Sequence, residues 1–386
     1  MREWWKALIQ RIKLLWERVP GTTKNQWPVE DPPIHLFVLP AHNGDAFLLE
    51  YLGIDQQFHR IWIDGGLVRS YMEKGRPVLQ SLIQQDAKID LMIVTHIDQD
   101  HIGGVLAFVN DSNLSKDFVE RFWFNSGLLI ASQFDHEPDR RRDVGFQTIG
   151  FQTRSLNQGI KLEEFLLKSK RWHDKPIQNP HEEEIAGAKL TVLSPNEENL
   201  MKLDREWEAE EASKSRSVPD TDFGESIEKL AAKEEEEDYS IANGSSIAFI
   251  FSLKNKRILF LGDAHPSDIV QALKKLGYSK KKKLKVSYVK LSHHASKRSV
   301  SYALLELIDC QNYIISTDGS RHGLPNKEAL ARVVLDPSRD RGERLFFLFN
   351  HNNAHLKSIF PESEQIRYNF QCSYPPDGQD GLLISF

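Results

Sequence analysis

Between Ile34 and His96 the chain sets short apolar runs, IHLFVL, AFLLEYL, RIWIDGG and LMIVTH, between closures of Gly, Asn and Asp. Runs of this length bounded by turn residues predict consecutive strands. Between the last two runs, Pro77 to Ala87 places Val78, Leu79, Leu82 and Ile83 at helical spacing. Strands with an intervening helix predict an α/β layered domain. The strand pattern resumes late in the chain as SSIAFIFSL, RILFLGD, KVSYVKLS, NYIIST, RLFFLFN and GLLISF, and no internal repeat is visible.

Two segments depart from this pattern. From Met1 to Val19, Trp4, Trp5, Leu8, Ile9, Ile12, Leu15, Trp16 and Val19 share one helical face, with Lys6, Arg11, Lys13 and Arg18 mostly on the other. Pro20-Gly21 ends that helix, so residues 1–30 read as helix and linker and 31–386 as the main domain. Such a helix can pack on its own body, dock onto a partner or second copy, or lie on an anionic membrane surface. The stretch 196–238 is acidic, includes Glu234 to Glu237 unbroken, and shows no strong apolar stripe. It reads as a solvated, partly disordered insertion, with an autoinhibitory or partner-binding role as the sharper alternative.

Composition narrows the class. A chain of 386 residues, 40% apolar and 27% charged, can bury a sizeable core. Its net charge of -5 excludes a surface that is basic throughout but leaves room for a local basic groove. Cys310 and Cys372 lie far apart in no metal-binding spacing, which predicts a reducing, cytoplasmic setting. No run approaches the roughly 20 apolar residues of a membrane span.

The most informative stretch is LMIVTHIDQDHIGG. A buried strand runs into a loop presenting His96, Asp98, Asp100 and His101, and Gly103-Gly104 lets a helix pack closely behind it. Crowded carboxylates raise one another's pKa and resist burial, and a divalent cation removes that cost. Mixed imidazole and carboxylate ligands suit zinc, manganese or iron better than magnesium or calcium.

THIDQDHIGG resembles the signature loop of the metallo-β-lactamase superfamily, whose usual form is His-x-His-x-Asp-His. With Asp98 at the second histidine it is similar to the version in the hydrolase domain of ComEC, the bacterial DNA-uptake channel protein, and its stand-alone relatives. LPAHNGDAFLLEY, with Gly44-Asp45, resembles the family's opening hairpin, and IWIDGG, with Asp64, its next strand and turn. NGSSIAFIF resembles the Asn-x-x-Ser strand start of ComEC-like members, which makes Asn243 either a weak ligand or substrate contact, or a turn former. RILFLGDAH places Asp263 where the family has its metal-bridging carboxylate. KLSHHAS resembles His-His-Gly-Ser and offers His293 as closing ligand, with His294 as neighbour or substrate contact, the choice between them being open. IISTDGSRHGLPNKEAL resembles Ser-Thr-Asn-Gly-Ser-x-x-Gly-His-Pro, but Leu324 stands at the histidine: either His322 reaches the site by a shifted loop or the chain works without it.

The resemblance implies a four-layer αββα sandwich and two divalent metal ions, Zn or Mn, held by His96, Asp98, Asp100, His101, Asp263 and His293. It implies catalytic roles for Asp100, His101, Asp263, His294 and His322, and cleavage of DNA or RNA phosphodiesters by hydroxide activated between the metals. Basic residues Lys274, Lys275, Lys280 to Lys283 and Lys285, with Arg140 to Arg142, are either a phosphate-binding rim or ordinary solvated turns. Trp123, Phe124 and Trp172 are candidate stacking residues and better candidate core. Competing functions are hydrolysis of a small phosphodiester or ester, and a metal-binding regulatory module with weak or no turnover. The amphipathic helix and acidic insertion raise control by another component, in bacterial stress or phage defence.

Overall fold

The computed structural model describes residues 32–135, 151–208 and 221–386. The amphipathic helix at Met1 to Val19, the cluster Arg140 to Arg142 and residues 209–220 of the acidic stretch lie outside the described residues.

Strands β1 (Ile34–Val38), β2 (Phe47–Leu52) and β3 (Phe58–Ile63) form an antiparallel meander, which β4 (Leu91–Ile93) and β5 (Phe122–Trp123) extend in parallel. Helix α1 (Arg76–Gln84) lies in the crossover from β3 to β4, and α2 (Gln99–Asn110) in that from β4 to β5. In the second sheet β6 (His181–Ile185), β7 (Ala188–Ser194), β8 (Ala248–Leu253) and β9 (Lys256–Phe260) are antiparallel. A short β10 (Leu284–Lys285) precedes β11 (Tyr288–Lys290) and pairs with β12 (Ile308–Asp309) outside that sheet. From β9 the second sheet continues in parallel through β11, β13 (Asn312–Ile315), β14 (Leu345–Phe349) and β15 (Phe370–Ser373). The final strand, β16 (Leu382–Ser385), returns to the first sheet beside β1.

Side chains alternate between strand faces, and that alternation builds the layers. Leu36, Leu49, Ile61 and Ile93 of the first sheet meet Val192, Phe249, Phe251 and Phe260 of the second in one buried core. Phe37, Leu48, Trp62 and Met92 face the other way, onto Leu79 and Leu82 of α1 and Val105 of α2. On the second sheet Ile250, Leu259, Val289, Ile315 and Phe347 turn outward to α3 (Pro266–Lys275) and α4 (Lys327–Leu335), through Ile269, Leu273, Leu330 and Val334. The order is helix, sheet, sheet, helix, the four-layer αββα sandwich. Among the described residues no helix is long and apolar enough to cross a membrane.

The acidic stretch departs from its sequence reading as a solvated insertion. A helix at Ile227–Ala231 buries Ile227 and Leu230 completely, and the Asp222 carboxylate accepts the N–H groups of Lys327 (2.9 Å) and Glu328 (2.7 Å) at the start of α4. Only three apolar residues among lysines and glutamates carry this packing, too few to register as a stripe. Trp123 and Phe124 are buried in the core, and half-buried Trp172 donates its indole N–H to the Phe124 carbonyl (3.0 Å).

Two glycines fix how the loops of the site interlock. A Cβ on Gly104 would lie 1.9 Å from the Gly65 carbonyl oxygen, and one on Gly44 would lie 1.9 Å from the Asp100 carbonyl oxygen. Both neighbours are backbone and cannot swing away. Gly104→Ala is therefore expected to cost roughly 3 kcal/mol, the upper end for overpacking, read as a lowered urea midpoint at unchanged m-value. An unchanged midpoint would show that α2 can retreat without penalty.

Candidate metal centre

Strands β4, β9, β11 and β13 bring their carboxyl ends to one edge of the sandwich, where ligand sites of layered α/β folds lie. Just beyond those ends stand His96 after β4, Asp263 after β9, His293 and His294 after β11, and Thr317 after β13. Asp98 is the residue before α2, and Asp100 and His101 occupy its first turn. The hydroxyl of Ser246, in the NGSS segment, accepts the N–H of Asp263 (3.0 Å) and helps hold that carboxylate in place.

The donor atoms are close. His101 Nε2 lies 3.4 Å and His96 Nε2 3.8 Å from Asp263 Oδ2. His294 Nε2 lies 3.5 Å from Asp100 Oδ2 and 3.9 Å from Asp263 Oδ2, and Asp98 Oδ2 lies 3.7 Å from His96 Nε2. His96, His101 and Asp263 form one group with metal-ligand geometry, and Asp100, His101 and His294 form another.

Hydrogen bonding fixes which ring nitrogens are available. His101 Nδ1 lies 2.9 Å from Asp64 Oδ2 and donates to it. The Thr95 hydroxyl gives its own hydrogen to Asp64 (2.7 Å), so its lone pair accepts His96 Nδ1–H at 3.0 Å. His294 Nδ1 donates to the Ser316 carbonyl at 2.7 Å. All three Nδ1 atoms are thus committed as donors, and among the described residues the three buried Nε2 atoms have no hydrogen-bond partner. An imidazole held in this way turns Nε2 into the cluster, and once that nitrogen gives up its proton it offers the lone pair a metal ligand needs. Asp263 Oδ1 and Asp45 Oδ1 are likewise buried without a hydrogen-bond partner. Five orphaned polar atoms in one buried cluster would be costly in a finished interior, and divalent cations satisfy that donor set.

The adjacent His293 also has its Nδ1 beside a carboxylate, but its side chain is 30% exposed and it belongs to neither of those two groups. His293 Nδ1 lies 3.2 Å from Asp238 Oδ2, and Asn243 Nδ2 donates to the same oxygen at 2.8 Å. Asn243 thus braces the His293–Asp238 pair. The cleft over the centre is lined by Asp98, Asp100, Asp263, His293 and His294 together with Asn43, Thr317, Arg321, His322 and Leu324. His322 therefore reaches the cleft alongside Leu324, with Leu324 buried and His322 at the exposed rim.

Three contributors had little or no signal as site residues in the sequence. Lys290, 1% exposed, is in contact with Asp45, donates to the Gly262 carbonyl (2.9 Å) and lies 3.7 Å from Asp263 Oδ1. Asn43 donates to Asp100 Oδ2 at 2.9 Å, and Asp238 reaches His293 from the end of the acidic stretch. Its place as the first residue of KLSHHAS, at the end of an apolar strand, was the one available sign of Lys290. Of the lysines read as either a phosphate-binding rim or solvated turns, Lys280 pairs with Glu306 and Lys283 donates to Ser338, and neither lines the cleft.

Charge in the centre is finely set. Burial opposes protonation of His294, but Asp263, Asp100 and Asp45 push its pKa up to about 10. His101 is raised in the same sense, burial being outweighed by Asp263 and Asp64. In the protein without metal, protons on these rings supply the positive charge that the carboxylates demand. A group raised on folding stabilises fully below its unfolded pKa, ~6.5 for histidine, and that contribution is lost as pH rises through its folded value. The melting temperature of EDTA-treated protein is therefore expected to fall as pH climbs from 7 towards about 10. Added Zn²⁺ or Mn²⁺ should restore it most at the alkaline end, where ligands lose protons more readily. A flat profile in EDTA by differential scanning fluorimetry would contradict this charge assignment.

No family model matches the chain, and no curated protein matches it. Among solved structures it is similar to the metallo-β-lactamase fold protein YhfI from Bacillus subtilis, at 9% identity and TM-score 0.38, over 92% of this chain and 100% of that one. It is also similar to a long form RNase Z from yeast (10% identity, TM-score 0.32), over 83% of this chain and 37% of that one. A third neighbour is CmlA, a diiron β-hydroxylase from Streptomyces venezuelae (11% identity, TM-score 0.39), over 94% of this chain and 55% of that one. These overlaps are too loose to carry an argument about this chain's chemistry.

Proposed function

We propose that this chain is a metal-dependent hydrolase of the metallo-β-lactamase type, in its ComEC-like variety, and that it cleaves phosphodiester bonds of DNA or RNA. The observation that carries the reading is the convergence of three buried, unpartnered imidazole Nε2 atoms on the carboxylates of Asp100 and Asp263. His96 and Asp98 with Asp263 would hold one divalent ion, and Asp100, His101 and His294 with Asp263 the other. When bound, such ions supply an activated water and neutralise charge developing on the scissile phosphate.

The chain's own residues do the rest. Asp64, Thr95 and Ser316 lock the imidazoles in one tautomer, Asn43 orients Asp100, and Lys290 balances Asp45 and Asp263. His293 and His322 face the cleft, where a leaving oxygen can receive a proton. Leu324 cannot do so, and its place in the cleft favours a second reading of slow or narrow turnover.

Linear and circular DNA, single-stranded RNA, cyclic nucleotides and bis(4-nitrophenyl) phosphate should be incubated with the protein loaded with Mn²⁺ or Zn²⁺. The account expects metal-dependent strand cleavage that EDTA abolishes. Turnover of small esters alone would defeat the nuclease reading, and no turnover of any substrate would leave the regulatory one.

A further inference from the structure

The acidic stretch ends in a strap beside the cleft. Residues 234–240 run without helix or strand, and carboxylates two residues apart are turned onto the protein body. Asp238 engages His293 at 3.2 Å, while Glu236 pairs with Lys297 Nζ at 2.8 Å and Arg298 Nε at 3.0 Å. Glu235 accepts the N–H of Tyr302 at 2.8 Å. Two residues of extended chain span at most about 7 Å, so the Glu236 ion pairs sit a short step from His293, which lines the cleft.

The same rim carries a cation with no partner among the described residues. The Arg321 guanidinium lines the cleft and makes no hydrogen bond or ion pair with the described residues. Its loop is joined to the strap's anchors, because Asn326 Oδ1 accepts the N–H of Lys297 at 2.9 Å and Asn326 N–H donates to the Ala295 carbonyl at 3.1 Å. Lys297 and Arg298, tied in this way to the loop that carries Arg321 into the cleft, offer with it a candidate basic track, and Glu236 pairs with the first two. These ion pairs are partly exposed, with Lys297, Arg298 and Glu236 side chains at 34%, 55% and 47% exposure. Pairs of that kind are weak and readily exchanged for other anions.

We propose that this track binds the phosphodiester backbone of a nucleic-acid strand, and that the strap, through Glu236, competes with the strand for Lys297 and Arg298. The inference rests on the hydrolase reading above and assigns its substrate track and an internal brake. A strand entering along Arg321 displaces the Glu236 carboxylate and gains its two cations, while a small phosphodiester fits the cleft without disturbing the strap.

The test uses the full chain in EDTA, with a fluorescein-labelled single-stranded oligonucleotide followed by anisotropy across a salt series. Glu236→Gln is expected to tighten binding about three- to tenfold, the scale of two weak ion pairs released. The salt slope should steepen by ~0.7 for each additional phosphate engaged. Arg321→Ala should weaken binding, and in a Lys297→Ala/Arg298→Ala background Glu236→Gln should have no further effect. Unchanged or weaker binding by Glu236→Gln, or a gain that survives loss of both cations, overturns the proposal. Hydrolysis of bis(4-nitrophenyl) phosphate with Mn²⁺ is measured in parallel. If that substrate turns over while Glu236→Gln leaves strand affinity unchanged, the track falls and the hydrolase stands. If Glu236→Gln tightens binding but neither substrate is cleaved with Mn²⁺ or Zn²⁺, the hydrolase falls and the track stands.

Discussion

Replacing His294 with alanine is expected to remove one equivalent of bound metal and to lower phosphodiester hydrolysis by on the order of 10²–10³-fold, the usual scale for deleting one group that stabilises charge at a reacting centre. The same change at His293 should leave metal content intact and reduce the rate less. The two neighbours differ because their backbones, at φ 53° and φ 47°, leave strand geometry and send the rings to different surroundings. The buried His294 ring aims Nε2 at Asp100 (3.5 Å) and groups with Asp100 and His101, whereas the His293 side chain is 30% exposed beside Asp238 and joins neither metal group. Plasma mass spectrometry of the two variants, alongside rate measurements, checks the assignment. Loss of metal from His293→Ala with retention in His294→Ala would reverse it.

The second large effect falls on stability. Lys290→Met keeps most of the side-chain volume but leaves Asp45, 1% exposed, without its principal charge partner. Breaking a buried ion pair from one side costs about 3–5 kcal/mol because the remaining charge is stranded. The metal-free variant should therefore unfold at much lower urea than the parent. Adding Asp45→Asn should recover part of the loss, since the stranded charge is then gone. A Lys290→Met variant as stable as the parent would show that His294 and His101 suffice for Asp45, their Nδ1 atoms lying 3.6 and 4.0 Å from its oxygens.

What could be read from the sequence followed from how locally each feature is encoded. The strands around β4 and β9 were legible because their apolar runs are short, dense and closed by glycine or aspartate. The cluster from His96 to His101 was legible because its donors crowd into a single loop. Asp263 was legible through the resemblance of RILFLGDAH to the family's strand and metal-bridging carboxylate. The choice between His293 and His294 was not legible, since left-handed backbone at both residues removes the alternation that assigns strand faces. Lys290 was hidden because a lysine in a strand ordinarily faces solvent, and only the fold reveals carboxylates on both sides of it. Asp238 and Glu236 looked like part of a solvated charge run, and their partners lie 55 to 62 residues further along the chain. Ile227 and Leu230 gave too short a pattern to betray the helix they bury.

The central claim is that the buried imidazole and carboxylate cluster is a two-ion metal centre. Its most direct test is the metal content of the full-length protein after exposure to Zn²⁺ or Mn²⁺ and removal of free ions, compared with a His96→Ala/His101→Ala/His294→Ala variant shown by circular dichroism to be folded. Two equivalents of divalent metal are expected in the parent chain and none in the variant. A parent chain that holds no metal, or a variant that holds as much, would contradict it.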